Sequence, residues 1–284
     1  AKAFGGGERH LVDLCRGLQN RGHEIFVALR PENQWQEKLA FLSSENLVHF
    51  SLRNSADVFS AQKIAEFVKE KEIQAIHAHV ARDYPTAALA SRLSKTPLIL
   101  TRHLTYPLGR IHRLTFKRAE KIIAVSNGVA ESLLKKRLTE PKKVAVIHNG
   151  VETDAPAKIE RNVELNENLV VATVGELREH KGQDDFIRAA AVIVEKHPQV
   201  RFLLIGQDNS QSQKYRLYLE KLVEELNLKK QIVFAGWLDN PAQIYGAFDI
   251  FVSSARSEPF GLAIAESMAS GKAIVATKTV GAEE

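Results

Sequence analysis

Residues 170–205 read VVATVGELREHKGQDDFIRAAAVIVEKHPQVRFLLI, and this stretch decides the predicted fold. The β-branched run at 170–174 predicts a strand, the apolar spacing over 184–196 predicts an amphipathic helix, and 200–205 predicts a second strand. A strand, a helix and a strand in this order are typical of a parallel sheet covered by helices.

The same alternation continues on both sides of this stretch. Further strands are predicted at 24–29, 47–50, 75–79, 98–101, 122–126, 144–147, 232–234, 250–253 and 273–276, and further helices at 211–226 and 262–270. Residues 153–168 are polar and contain Pro156, which predicts a linker. We therefore expect an α/β protein with two Rossmann-like parallel-sheet domains, 1–152 and 169–284, facing a cleft, and a length of 284 residues suits that number.

The composition excludes several classes of protein. An apolar share of 44% with 26% charged residues excludes a disordered or collagen-like chain. Cys15 is the single cysteine, so an internal disulfide is excluded and a reducing compartment is favoured. The sequence has no uninterrupted apolar run of eighteen residues and no secretory signal, so we expect a cytoplasmic protein without a spanning helix.

The charge is divided unequally between the two halves of the chain. Residues 1–150 carry 24 Lys and Arg against 14 Asp and Glu, whereas residues 151–284 carry 15 against 20. This asymmetry favours a polyanionic partner for the first domain, such as an anionic lipid or a phosphorylated substrate. The basic half lacks interleaved aromatic residues that could stack on bases, so we expect no nucleic-acid partner.

Ligands of open α/β sheets bind where strands lead into helices, and two such junctions are rich in glycine or cations. Gly5, Gly6 and Gly7 open the first helix with backbone N–H groups available to an anion, although His10 replaces the third glycine of a dinucleotide-binding pattern. In the second domain, the junction at 174–182 supplies Arg178 and Lys181 beside a glycine turn. The sequence there predicts binding of a phosphate, and a solvated loop with incidental cations is the alternative.

The junction at 253–266 combines two acids with a glycine turn. Gly261 and Leu262 fall in the first turn of the predicted helix, where N–H groups are free, and Glu258 and Glu266 flank this turn. One acid can therefore hold the sugar end of a ligand and the other its ribose end.

Histidines lie on one strand of the first domain and directly after another. His103 comes directly after a strand, where it can hydrogen-bond a sugar hydroxyl or relay a proton. His77 and His79 lie on one strand, and we expect them to point to opposite faces and not to share a metal ion. The sequence contains no Asp-x-Asp motif, so we expect no metal ion at the diphosphate of a ligand.

Taken together, these motifs resemble the retaining GT-B glycosyltransferases of glycosyltransferase family 4. The resemblance rests on the ordered set GGGER at 5–9, GHE at 22–24, HAH at 77–79, TRH at 101–103, AVS at 124–126, IHNGV at 147–151, KG at 181–182 and EPFGLAIAESMASG at 258–271. It implies GT-B architecture, no cofactor, and a UDP- or GDP-linked sugar as the donor substrate. It also implies a sugar, lipid-linked or polysaccharide acceptor of cell-envelope synthesis.

The resemblance also assigns roles to residues. Glu258 is expected to contact the donor sugar, Glu266 the nucleotide ribose, and Lys181 the diphosphate. The loop with Gly6 and Gly7 is expected at the phosphate and the reacting centre, and His103 at the transferred sugar. The remaining expected donor contacts are Phe260, Gly261 and Leu262.

Two features depart from the family pattern. Glu176 stands where the family usually has arginine, and we expect Arg178 to take over that role. The family pattern also has a strand before the first residue of this chain and further helices after the last one. We therefore expect a first domain without its first strand and a second domain truncated at its end.

The sequence interpretation is a metal-independent transferase that retains the anomeric configuration. The leaving phosphate would help to deprotonate the acceptor on the same face of the sugar, because no carboxylate is placed as a covalent nucleophile. Two alternatives remain open: a GT-B sugar-nucleotide epimerase, and a non-catalytic protein that binds a nucleotide sugar or an anionic surface.

A basic amphipathic stretch lies between residues 106 and 121. Leu114 and Phe116 alternate there with cations that predict contact with an anionic membrane surface, namely Arg110, Arg113, Lys117 and Arg118. The hypothesis is peripheral association with the inner face of the membrane, and a helix that stays in water is the alternative.

Overall fold

The structure, a computed structural model, describes residues 4–106, 108–109, 111–152, 168–238 and 241–284. The chain divides into two compact units, Ala1–Asn149 and Gly150–Glu284. The predicted linker at 153–168 falls, except for its last residue, outside the described residues.

The first unit alternates helices and short parallel strands. Its elements are α1 (Gly6–Gln19), β1 (Val27–Leu29), β2 (Leu47–His49), α2 (Val58–Glu70), β3 (Ile76–Ala78), α3 (Tyr84–Ser94), β4 (Leu98–Arg102), α4 (Ile111–Arg118), β5 (Lys121–Ala124), α5 (Asn127–Lys135) and β6 (Val144–Val146). The strands form two parallel sheets, β1-β2 and β3-β4-β5-β6.

The larger sheet of the first unit is held by a fully buried apolar cluster. Leu98 and Leu100 on β4 and Ile122 on β5 pack there against Tyr84 of α3 and Phe116 of α4. Because β3 and β4 are adjacent and parallel, their carboxyl ends lie at the same edge of the sheet.

The second unit is a parallel sheet with the order β11-β10-β7-β8-β9. Its elements are β7 (Val170–Val174), α6 (Gln183–Lys196), β8 (Arg201–Ile205), α7 (Lys214–Glu225), β9 (Ile232–Gly236), α8 (Pro241–Gly246), β10 (Ile250–Ser253), α9 (Leu262–Ala269), β11 (Ala273–Ala276) and α10 (Val280–Glu283).

Strand β8 shows why this sheet is covered on both faces. Phe202 and Leu204 belong to one buried cluster, which α6 and α7 complete, whereas Leu203 and Ile205 belong to another, which includes Phe248. Successive side chains of a strand point to opposite faces, so an all-apolar strand needs a core on each side. The α/β class with parallel sheets, expected from the sequence, is confirmed.

The structure differs from the sequence prediction in two details. Strands β1 and β2 pair with each other and not with the larger sheet of the first unit. Helix α7 begins at Lys214 and not at 211, because the Asp208 carboxylate accepts hydrogen bonds from the N–H groups of Ser210, Tyr215 and Arg216. This arrangement makes the residues before 214 a turn.

Candidate functional site

The turn between β7 and α6 depends on a glycine. Gly182 has φ +65°, a left-handed conformation that favours glycine. A Cβ at this position would lie 2.1 Å from the carbonyl oxygen of Ser254, which follows β10. The turn can therefore approach the end of β10 only with glycine here, and this approach positions Lys181.

Lys181 and Glu258 form an ion pair. Lys181 Nζ lies 2.5 Å from Glu258 Oε2, and the two side chains are 27% and 16% exposed. Both residues line a small pocket that is partly open to solvent, together with Gln183, Ser254 and Gly261. The structure thus brings together the predicted diphosphate and sugar contacts.

The same pocket borders the start of α9. Gly261 precedes the helix with φ +91°, and a Cβ there would lie 2.9 Å from Ile264 Cδ1. Leu262 is the first helical residue, so the first-turn N–H groups of α9 have no partner within the helix. Phe260 packs so closely against Gly281 that a Cβ on Gly281 would lie 2.5 Å from the Phe260 backbone. The turn before α9 therefore packs against Ile264 on one side and against Gly281 on the other.

Glu266 lies one turn further along α9 and contacts a tyrosine. The Tyr245 hydroxyl, on α8, donates a hydrogen bond to Glu266 Oε2. Tyr245 is buried, so the hydroxyl has a fixed direction and orients the carboxylate. Tyr245 was not predicted as a site residue, and it lies five residues before the first residue of the predicted strand at 250–253.

Glu176 is neutralised by Arg178. Arg178 Nη2 lies 2.8 Å from Glu176 Oε1, which also accepts a hydrogen bond from Asn209. Sequence analysis expected this arginine to serve the diphosphate, but its side chain, 57% exposed, is held by Glu176. Lys181, in contrast, lines the pocket.

Arg256 links the loop after β10 to α6 through ion pairs, a role that was not predicted from the sequence. Its guanidinium contacts the Asp184 and Asp185 carboxylates at 2.8 and 2.7 Å and donates to the Glu179 carbonyl. The hydrogen bond with Asp184 raises the pKa of Arg256 above its ordinary value. These contacts hold the loop that carries Glu258 against the turn that carries Lys181.

In the first unit, the predicted glycine loop does open a helix. Helix α1 starts at Gly6, and the N–H of Gly5 donates to the Glu8 carboxylate over 3.1 Å. Gly7 has open space where a Cβ would be, and Gly6 is exposed. The loop is accessible, as binding of an anion requires.

His103 lies among other histidines. Its ring centroid is 4.9 Å from that of His10 and 5.7 Å from that of His79, and His77 lies 4.1 Å from His79. Burial lowers the pKa of His103 to about 3 and that of His77 to about 4, and neighbouring imidazoles add to both shifts. Burial also lowers the pKa of His10 and that of His79, so the environment favours the neutral form of all four rings.

The expectation that His77 and His79 point to opposite faces was wrong. Residues two apart on a strand share a face, and the two rings are in contact distance. His77 Nε2 also hydrogen-bonds Thr101 Oγ1 over 2.7 Å. The spacing of two residues between His77 and His79 would have been enough to predict that both side chains lie on the same face of the strand.

The basic stretch forms α4, and its cations have different roles. Arg118 donates to the carbonyl of Ser91 in α3 and to that of Thr96, which follows this helix, so it holds α4 against α3. Arg113 and Lys117 are exposed, and Leu114 between them is 73% exposed. Arg110 lies outside the described residues. Within the described residues, no helix is both long and apolar enough to span a bilayer.

Two family models match the chain in sequence. The model for Glycosyltransferase Family 4 matches residues 4–155, and the model for Glycosyl transferases group 1 matches residues 154–284. Together the two models cover both units.

Named relatives include enzymes of the cell envelope. The lipopolysaccharide core biosynthesis glycosyltransferase LpsE of Rhizobium meliloti (strain 1021) is 27% identical over 286 residues, 98% of this chain and 77% of that protein. The UDP-Gal:alpha-D-GlcNAc-diphosphoundecaprenol alpha-1,3-galactosyltransferase of Escherichia coli is 25% identical over 240 residues, 76% of this chain and 60% of that protein.

Solved structures share the fold. Anabaena HepE, crystallised in complex with UDP-glucose, has a TM-score of 0.83 and 24% identity, over all of this chain and 80% of that one. The lipopolysaccharide outer core galactosyltransferase WaaB has a TM-score of 0.66 and 15% identity, over 97% of this chain and 78% of that one. These likenesses confirm the GT-B fold class.

Proposed function

This chain belongs to the Glycosyltransferase Family 4 enzymes, and we propose that it moves a sugar from a nucleotide diphosphate sugar to an acceptor with retention of the anomeric configuration. The observation that carries the proposal is the pairing of Lys181 with Glu258 beside the start of α9. A cation and an acid at one pocket suit the two ends of the bond that a glycosyltransferase breaks, phosphate on one side and sugar on the other.

The donor is held mainly by the second unit. Lys181 binds the diphosphate, and the first-turn N–H groups of α9, at Leu262 and its successors, add partial positive charge. Glu258 accepts hydrogen bonds from sugar hydroxyls. Glu266, oriented by Tyr245, accepts hydrogen bonds from the ribose. Donor binding displaces the Lys181–Glu258 ion pair, because each group gains a partner on the ligand.

The protein stabilises the negative charge that develops on the leaving group. As the bond between the sugar and the phosphate breaks, negative charge grows on the diphosphate, and fixed donors that are already in place stabilise it. Lys181 and the α9 amides supply these donors, so the reaction needs no metal ion. Arg178 has a smaller part, because Glu176 already binds it.

Retention follows from a reaction on one face of the sugar. The acceptor oxygen bonds to the anomeric carbon on the face from which the phosphate leaves, and its proton passes to a leaving phosphate oxygen. Glu258 is assigned to the sugar hydroxyls in this reaction, and no carboxylate is assigned as a covalent nucleophile. From the family resemblance, we assign His103 to the transferred sugar and Gly6 and Gly7 to the phosphate and reacting centre.

The acceptor is proposed to be a sugar, lipid-linked or polysaccharide precursor of the cell envelope. The names of relatives support this proposal, since one acts in lipopolysaccharide core synthesis and another on a diphosphoundecaprenol acceptor. The exposed cations Arg113 and Lys117 flank an exposed leucine, which suits the surface of an anionic membrane. A location in the cytoplasm, at the inner face of the membrane, follows from this acceptor.

Donor trials with product analysis test the proposal. Ligand-induced melting shifts with UDP, GDP, ADP and their common sugars identify the base. UDP sugars are tested first because the Escherichia coli relative is named as an enzyme that uses UDP-Gal. Incubation with the best donor and lipid extracts, followed by NMR of the product, then gives the anomeric configuration. Isomerised donor without any acceptor would favour an epimerase. Binding without hydrolysis or transfer would favour a non-catalytic protein.

A further inference from the structure

Three histidines of the first unit converge from separate elements. His10 lies on α1, His79 directly follows β3, and His103 directly follows β4. One ring nitrogen of each lies within 4.8 Å of the corresponding atoms of the other two. The pairing of β3 with β4 fixes the positions of His79 and His103, and α1 places His10 beside them.

Two of these rings contain buried nitrogen atoms without a hydrogen-bond partner. They are His79 Nδ1 and His103 Nε2, among the side chains that the structure describes. An unsatisfied buried polar atom costs about 1–3 kcal/mol. A ligand that takes electron pairs from several imidazoles at once would remove this cost.

We propose that His10, His79 and His103 form a binding site for a late first-row divalent metal ion, with Zn²⁺ as the best fit. Imidazole suits zinc, copper and nickel, whereas the oxygen ligands that Mg²⁺ and Ca²⁺ need are absent from this trio. Three histidines leave a fourth position open for water or another ligand, as in catalytic zinc sites.

The geometry needs only a small adjustment. Zn–N bonds of about 2.0–2.1 Å place tetrahedral ligand atoms roughly 3.4 Å apart, so the ring nitrogens must approach one another by little more than an ångström. Rotation of the imidazoles supplies such a movement. His77 packs against His79 and bonds Thr101, so it supports one ligand from behind. Arg102 places positive charge near His103, which makes the site weaker than a structural zinc site.

The site has a consequence for activity that rests on the proposed function. His103 is assigned there to the transferred sugar, so Zn²⁺ and the sugar compete for one imidazole. Zinc therefore inhibits transfer and a chelator restores it. Direct measurement of zinc binding does not depend on this inhibition.

Calorimetric titration of tag-free, chelator-treated protein with zinc sulfate tests the site. We expect one Zn²⁺ per chain, and an affinity at least tenfold lower in His10→Asn and in His79→Asn. His23→Asn is the matched control, because it removes an exposed imidazole from the same unit and should leave the affinity unchanged. Circular dichroism checks that each variant folds.

X-ray absorption on the zinc-loaded wild-type protein gives an answer even if a variant fails to fold. We expect scattering from three imidazoles at the metal. Absence of stoichiometric binding, a metal shell without imidazole, or an equal loss in His23→Asn and His79→Asn would overturn the site. Zinc binding in a protein without transfer activity would leave the site standing and count against the proposed function alone.

Discussion

Lys181 and Glu258, 77 residues apart in the chain, form an ion pair in which Nζ lies 2.5 Å from Oε2. The pair exists because β7 and β10 are neighbours in the parallel sheet, so the loops that follow them meet at one edge. Each residue neutralises the other in this structure, and in the proposed function a nucleotide diphosphate sugar replaces both partners.

Glu258→Gln should lower turnover while the fold stays intact. The change removes a charged hydrogen-bond acceptor, worth about 1.5–3 kcal/mol, which corresponds to a roughly 10- to 150-fold loss in kcat. Steady-state kinetics with the best donor measure the effect. Glu195→Gln, on the exposed side of α6, is the control and should have no effect. A wild-type rate in Glu258→Gln would remove this residue from the reaction.

Lys181→Ala should reduce activity more than Arg178→Ala. Lys181 lines the pocket, whereas the charge of Arg178 is already balanced by Glu176. Comparison of kcat/KM for the two variants measures the difference, and we expect it to exceed tenfold, about 1.4 kcal/mol. The reverse order would mean that Arg178 leaves Glu176 and binds the diphosphate.

Tyr245→Phe should weaken nucleotide binding through Glu266. Loss of the hydroxyl leaves the Glu266 carboxylate without its buried donor, so the carboxylate is less well oriented toward the ribose. Glu266→Ala alone should weaken binding of the nucleoside diphosphate by at least tenfold. In the double variant Tyr245 should have no further effect, because coupled residues are not additive. Additive losses, measured by calorimetry, would show that the two residues act independently.

Activity should survive treatment with EDTA. In the proposed reaction, Lys181 and the backbone amides at the start of α9 bind the diphosphate, and the sequence has no Asp-x-Asp motif that could hold a metal ion on it. Removal of a metal from the histidines of the first unit would not lower the rate either. Assays before and after chelation provide the measurement. A loss restored by Mg²⁺ or Mn²⁺ would contradict the electrostatic argument.

Arg113→Glu combined with Lys117→Glu should weaken cosedimentation with anionic liposomes at low salt. Each cation near such a surface contributes about 1 kcal/mol, and Arg118 is left unchanged because it braces α3. Lys196→Glu with Lys230→Glu makes the same charge change on exposed residues of the second unit and serves as the control. Donor binding should be equal in all variants. If the unmodified protein never cosediments, or both double variants behave alike, a soluble acceptor is the better explanation.

The sequence by itself determined the elements and the identity of most candidate residues. Strand and helix periods are local, so the alternation over 170–205 predicted β7, α6 and β8 nearly to the residue. Glycines were equally informative, because Gly182 and Gly261 occupy left-handed positions that other residues rarely adopt. These features depend on neighbours in the chain, and a sequence contains them directly.

Only the tertiary structure decided which side chains meet. The pairing of Lys181 with Glu258 follows from loops brought together at the sheet edge, and the hydrogen bond from Tyr245 to Glu266 joins α8 to α9 across 20 intervening residues. Strand order is set by packing of the whole unit, and β10 reaches β7 across 75 intervening residues of sequence. The histidine cluster depends in the same way on β3, β4 and α1, and no spacing along the chain reports such distances.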